Sequence, residues 1–116
     1  VKCLQQLLLT NLGVCLIVLW LKHLLLATIA PRALLVQGYD KPWFDTRGEY
    51  LACKAASPAW EFLGQPGLPG VPFPDDYETS CIGRRLGYVR RTEGHGHSAH
   101  DWTWLMEFAD KALEGK

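Results

Sequence analysis

Two short segments of this chain carry side chains that could perform acid–base chemistry. The first, GYDKPWFD at residues 38–45, holds two carboxylates, Asp40 and Asp45. The second, TEGHGHSAHDW at residues 92–102, holds three histidines, His95, His97 and His100. A histidine can take a proton from a nucleophile within hydrogen-bond reach, and a carboxylate fixes the tautomer of that histidine. The two segments therefore supply two of the three groups of a hydrolytic triad.

Each of these segments follows a short apolar run. Ala33–Gln37 has no polar alternation, which is typical of a strand covered on both faces, and Leu86–Arg91 is predicted to be a second strand. In open α/β sheets, ligands bind beyond the carboxyl ends of parallel strands, so both segments are expected at one edge. The chain order, acid and then histidine, matches hydrolases whose triad runs Ser, acid, His.

Helical patterns follow both segments. Glu49–Ala56 is predicted to be a helix, which Ser57 and Pro58 interrupt before a further helical stretch that ends at Gly64. Residues 64–85 are rich in proline and glycine and are predicted to form a long surface loop. The alternation of strands and helices predicts an α/β domain with parallel strands.

The final helix is predicted over Ala99–Leu113. Ser98 is a suitable N-cap, and Asp101 lies in the first turn, where a negative charge offsets the helix dipole. One apolar face is expected to join the core at helical spacing; its members are Trp102, Leu105, Met106, Ala109, Ala112 and Leu113. Two further aromatic residues, Trp60 and Phe108, are also expected in the core.

Composition excludes several classes of function. The 116 residues suffice for one domain, and twelve basic residues balance twelve acidic ones, so no nucleic-acid partner is expected. The only basic cluster, Arg84, Arg85, Arg90 and Arg91, is interpreted as a solvated strand edge and loop. The four cysteines lack metal-finger spacing, and a buried reduced thiol is expected for Cys53. No cofactor is predicted.

The first 22 residues differ from the rest of the chain. They are rich in leucine and poor in charge, but the cleanest apolar run, Leu12–Leu21, is half the length of a membrane-spanning helix. Three interpretations stay open: a membrane or signal anchor with membrane contact through residues 4–30, a buried part of the domain, or a truncated or frame-shifted start. Residues 23–116 are assigned to the α/β domain.

Three stretches carry a resemblance to a known family: HLLLATIAPRALLV, DKPWFDTRGEYLACKAASPAWEFLG and LGYVRRTEGHGHSAHDWTWLMEFADKAL. They resemble the C-terminal end of glucuronoyl methylesterase-like α/β-hydrolases, which are carbohydrate esterases. The resemblance implies a partial α/β-hydrolase fold and, in the intact enzyme, a glucuronoxylan-like carbohydrate ester as substrate. It also implies a Ser-His-acid triad without a metal, and an extracellular or periplasmic location for the intact family member.

The resemblance also assigns roles to individual residues. Asp40 would be the acid, with Asp45 as a second candidate, and Trp43 would lie against the sugar. The base would be His95, which the spacing to the following Asp-Trp pair favours, or His97, which is followed by a small hydroxyl residue. The alternatives without a catalytic role are turn formation by the carboxylates, packing of Trp43 in the core and a solvated histidine cluster.

The nucleophile of such a triad has no counterpart in this sequence. Its three serines are Ser57, Ser80 and Ser98, and none lies in a G-x-S-x-G turn. The chain is therefore expected to be inactive as an esterase on its own. If it folds alone, an exposed sheet edge and self-association are expected. The alternatives are a non-catalytic, membrane-anchored remnant that contacts carbohydrate, and a metal site on the three histidines.

Overall fold

The computed structural model describes residues 22–39, 44–70, 73, 80–91 and 96–114. Helix α1 is described over residues 22–27. It is followed, in chain order, by five elements: β1 (Leu34–Tyr39), α2 (Thr46–Phe62), β2 (Ser80–Ile82), β3 (Leu86–Arg91) and α3 (Ala99–Leu113).

The three strands form one mixed sheet in the order β1-β3-β2. Strands β1 and β3 are parallel, in a register that runs from Leu34 opposite Leu86 to Tyr39 opposite Arg91. This confirms the predicted parallel pair. The antiparallel strand β2 was not predicted, because three residues within a proline- and glycine-rich stretch are too few to show a strand pattern. Among the described strands β1 has one partner, and self-association remains a prediction.

Helix α2 is continuous, so the predicted interruption at Ser57 and Pro58 is wrong. Proline removes one backbone hydrogen bond from a helix. Here the Ser57 hydroxyl donates to the Cys53 carbonyl oxygen (3.2 Å) and accepts from the Leu68 amide (2.9 Å), while Ser57 is buried. The residues on both sides of Pro58, Ser57 and Trp60, are thus buried within the fold. The predicted end is confirmed, since Gly64 follows the helix with a φ of +75°.

The core lies between α2 and the sheet. One cluster consists of buried side chains from α2 and from two strands: Tyr50, Cys53, Cys81 and Tyr88. The other consists of Ala56, Trp60 and Leu86, and its neighbours include Leu26, Ala27, Ile29 and Ala30. The buried Trp60 indole also donates to the Arg32 carbonyl oxygen at 2.9 Å. Residues 26–30 thus pack against the α/β core, and the expected burial of Trp60 is confirmed.

Helix α3 begins as predicted, but its apolar face is largely exposed. Ser98 and Asp101 form a reciprocal capping box. Phe108 and Ala112 are buried, whereas four expected core residues are 41–59% exposed: Trp102, Leu105, Met106 and Leu113. The Phe108 ring of α3 packs over Gly87 of β3, where an added Cβ would lie 3.4 Å from the ring. Of the apolar side chains on this helix, those of Phe108 and Ala112 are therefore the buried ones.

Within the described ranges, no helix is both long and apolar enough to cross a membrane. The predicted membrane contact through residues 4–30 falls mostly on residues 1–21, which lie outside those ranges. That interpretation, and the assignment of residues 1–22 as a separate segment, remain predictions.

Candidate functional site

The candidate site lies at the edge of the sheet where β1 and β3 end. Tyr39 and Arg91 are registered opposite each other as the last residues of the two parallel strands. Asp40 and Thr92 therefore follow neighbouring strand ends in the chain. This is the edge at which α/β sheets bind ligands.

Contacts of Tyr39 connect the two segments in space. Its hydroxyl donates to the carbonyl oxygen of Gly96 in the histidine segment at a distance of 3.4 Å. Its ring lies 5.9 Å from the ring of Phe44 in the carboxylate segment. The guanidinium of Arg91 lies 4.6 Å from the centre of the same Tyr39 ring. One side chain thus touches both segments.

His97 is exposed at this edge and borders a small cleft. Its ring lies 5.8 Å from that of Trp102, at an interplanar angle of 44°. The cleft has a volume of about 100 Å³, and its lining includes Gln37, His97, Asp101, Trp102 and Leu105. A histidine in this position is accessible to a reactant from solvent.

The Asp101 side chain makes several polar contacts near the site. It is 3% exposed and forms a buried ion pair with Arg91. Its second carboxylate oxygen accepts from the Gln37 side-chain amide, and the Ser98 amide donates to the carboxylate at 2.6 Å. Arg91 also donates to the Gly96 carbonyl oxygen at 2.5 Å. These bonds fasten residues 96–98 to the ends of both strands.

Asp45 serves as the N-cap of α2. Its carboxylate accepts from the Gly48 amide at 2.8 Å, and the side chain is exposed. One turn later, Glu49 has a buried oxygen, Oε2, without a hydrogen-bond partner. Burial raises the pKa of Glu49 above 4.5; Lys22 opposes this shift and Asp45 adds to it. The beginning of α2 therefore holds two carboxylates in different environments.

Three of the predicted site residues, Asp40, Trp43 and His95, lie outside the described ranges. Their roles remain predictions. His100 is described, in the first turn of α3, with its ring 5.8 Å from that of Trp104. No group of three metal-binding side chains occurs among the residues with described positions.

Sequence reasoning missed the buried ion pair. It treated Arg91 as part of a solvated basic cluster, but Arg91 is 4% exposed and paired with Asp101. The available signal was an arginine at the last position of a strand, followed ten residues later by an acid in the first turn of a helix. Charge counting alone gave no indication that these side chains meet.

No family model matches this chain. A curated relative, carbohydrate esterase MZ0003 from an unknown prokaryotic organism, is 33% identical over 95 residues, which are 81% of this chain. The chain spans 22% of the length of that relative.

Solved structures give the same result. A promiscuous CE15 esterase from a marine bacterial metagenome is 32% identical, with a TM-score of 0.72 over 79% of this chain and 23% of that protein. A glucuronoyl esterase from Solibacter usitatus is 33% identical, with a TM-score of 0.72 and the same coverage. A CE15 glucuronoyl esterase from Teredinibacter turnerae is 25% identical, with a TM-score of 0.63 over 81% of this chain and 22% of that protein. The described sheet and helices therefore form part of an α/β-hydrolase fold.

Proposed function

We propose that this chain carries the acid and the base of a serine esterase, because it matches the C-terminal portion of glucuronoyl esterases. The substrate class is a carbohydrate carboxylic ester such as a glucuronoyl ester. The relatives are several times longer than the matched segment, so these assignments concern an assembled enzyme.

One observation carries this proposal: Tyr39 touches Phe44 on one side and Gly96 on the other. Tyr39 precedes Asp40 and Phe44 precedes Asp45, while Gly96 lies between the two candidate bases. A triad needs its acid and its histidine within hydrogen-bond reach of each other. The adjacency of the two segments supports that arrangement.

For the acid, we favour Asp40 over Asp45. The Asp45 carboxylate accepts the Gly48 amide as the cap of α2, a structural role that accounts for this acid without a histidine partner. Asp40 comes directly after the last residue of β1, where a triad acid is expected in this fold class. Trp43 would offer an aromatic face to the sugar ring.

For the base, His95 and His97 both remain candidates. The sequence spacing favours His95 slightly. His97 is exposed beside the cleft, and its neighbours on both sides are held by hydrogen bonds to Arg91 and Asp101. Either imidazole would accept the proton of a serine hydroxyl and later return it to the leaving alcohol.

The serine of the triad would come from another stretch of polypeptide. Ser57 is buried in α2 and bonded to Cys53 and Leu68, and Ser98 caps α3. Loss of the nucleophile in serine hydrolases costs on the order of 10⁶ in turnover. The 116-residue chain by itself is therefore proposed to hydrolyse esters no faster than buffer.

A chimera tests the proposal. Residues 23–116 would replace the matching segment of the marine metagenome CE15 esterase, and hydrolysis of a glucuronate ester would be followed. We expect the chimera to be active, Asp40→Asn to lower its turnover by on the order of 10⁴, and Asp45→Asn to change it little. A folded chimera in which Asp40→Asn keeps full activity would reject this assignment of the acid.

A further inference from the structure

Asp101 receives hydrogen bonds from three separate parts of the fold. The donors are the side-chain amide of Gln37 in β1, the guanidinium of Arg91 in β3 and the backbone amide of Ser98 just before α3. The Asp101 side chain is 2% exposed and that of Arg91 is 5% exposed. This carboxylate therefore connects the ends of two strands to the beginning of a helix.

The two partners of this ion pair hold the backbone on both sides of His97. Arg91 Nη1 donates to the Gly96 carbonyl oxygen at 2.5 Å, and the Ser98 amide donates to Asp101 at 2.6 Å. Gly96 has a φ of +125°, a conformation that residues with a side chain rarely adopt. The position of His97 along the chain is thus fixed from both directions.

Helix capping alone does not require this arrangement. A capping box needs only Ser98 and an acid three residues later, and such acids are ordinarily in contact with solvent. Burial of an Arg–Asp pair costs desolvation energy that an apolar pair of similar volume would avoid. A buried pair is therefore better explained by the geometry that it imposes, which here is that of residues 96–98.

We propose that Arg91, Asp101 and Gln37 form a clamp that positions the histidine segment, residues 96–98, at the edge of the sheet. The contacts of the clamp with residues 96–98 do not depend on any catalytic role. That the clamp positions a catalytic histidine rests on the proposed function. The three side chains are positioning residues: they act through the backbone that carries the histidine.

NMR of the full ¹⁵N-labelled chain tests the clamp without any activity measurement. In Asp101→Asn, we expect the order parameters of Gly96 and His97 to fall from about 0.85 to below about 0.6. We also expect the cross-peaks between the His97 and Trp102 rings to disappear, while amides in the middle of α3 keep their order. Glu107→Gln is the matched control, because it removes an exposed carboxylate of the same helix that pairs with Lys111.

A milder variant keeps the test decisive if Asp101→Asn does not fold. Gln37→Leu removes one donor and leaves the ion pair, so a smaller loss of order at residues 96–98 is expected. Unchanged order parameters and ring cross-peaks in a folded Asp101→Asn chain, or in Gln37→Leu where the first variant is unfolded, would overturn the clamp. Neither result bears on esterase activity of the chimera, so the two proposals can fail independently.

Discussion

The guanidinium of Arg91 lies 4.6 Å from the ring centre of Tyr39, the residue registered opposite it across the parallel strands. Tyr39 and Arg91 are the last residues of the two parallel strands, and the chain continues from them to Asp40 and to Thr92. Cation–π contacts contribute about 0.5–1 kcal/mol at partly exposed sites. The edge that carries the proposed site is therefore stabilised by its own last residues.

Replacing the Tyr39 ring should weaken this edge. We expect Tyr39→Leu to lower the free energy of unfolding by about 1 kcal/mol, because the contacts with Arg91 and Phe44 are lost. Tyr39→Phe keeps the ring, and the hydrogen bond that it loses to the Gly96 carbonyl oxygen is long at 3.4 Å, so a change below about 0.5 kcal/mol is expected. Urea denaturation measures both values, and equal losses in the two variants would argue against a role for the ring.

Gly38 should tolerate no side chain. An added Cβ would lie 2.4 Å from the Tyr88 hydroxyl and 2.6 Å from Glu49 Oε2. Because Tyr88 is fully buried and donates to the Thr46 carbonyl oxygen, it cannot move away freely. We expect Gly38→Ala to cost about 1–3 kcal/mol of unfolding free energy.

Gly70→Ala is the control for that variant, since an added Cβ there would meet nothing within 4 Å. Its unfolding free energy should stay within about 0.5 kcal/mol of the parent value. Thermal or urea melts of the two alanine variants compare them directly. A Gly38→Ala chain as stable as Gly70→Ala would show that β1 and α2 are not packed as closely as described.

Glu49 should make stability depend on pH. Burial raises its folded-state pKa above 4.5, so the folded chain binds this proton more tightly than the unfolded chain. The stabilisation that protonated Glu49 gives the folded chain is therefore lost as pH rises from 4.5 through the raised pKa. At neutral pH the ionised carboxylate destabilises the folded chain. We expect Glu49→Gln to be more stable than the parent at pH 7, with the difference vanishing near the unfolded-state pKa.

Denaturation midpoints across that pH range check this prediction. Glu61→Gln, at the exposed end of the same helix, is the matched control and should show no such trend. A Glu49→Gln chain that is less stable than the parent at pH 7 would contradict the assignment of an ionised, poorly solvated carboxylate.

Cys53 should resist thiol reagents in the folded chain. It is fully buried, and burial raises its pKa to about 12. At pH 8 its thiolate population would be about a thousandfold below that of an ordinary thiol. In a variant with Cys3→Ser, Cys15→Ser and Cys81→Ala, labelling should be slow in buffer and fast in denaturant. Equal rates would show that this part of the core opens freely.

The sequence predicted the parts of the fold that depend on local pattern. The parallel strands followed from apolar runs, and the beginning of α3 followed from a cap and an acid at the required spacing. Gly64 marked the end of α2 because a left-handed residue there favours glycine. These features are encoded within a few neighbouring residues.

Features that depend on distant contacts could not be predicted in this way. Helix α2 continues through Pro58, where the neighbouring Ser57 is buried and accepts a hydrogen bond from Leu68, eleven residues further along the chain. Strand β2 exists only as a partner of β3. Arg91 and Asp101 lie in a strand and a helix that meet only in the folded chain. The cluster of basic residues in the sequence therefore predicted that Arg91 is solvated.

The most direct test of the account is the rate of glucuronate ester hydrolysis by the chimera with His95→Ala and, separately, with His97→Ala. One of the two variants should lose on the order of 10⁴ or more in turnover, while the other stays within about tenfold of the unsubstituted chimera. Folded variants that both keep the unsubstituted rate would contradict the claim that this segment supplies the catalytic base.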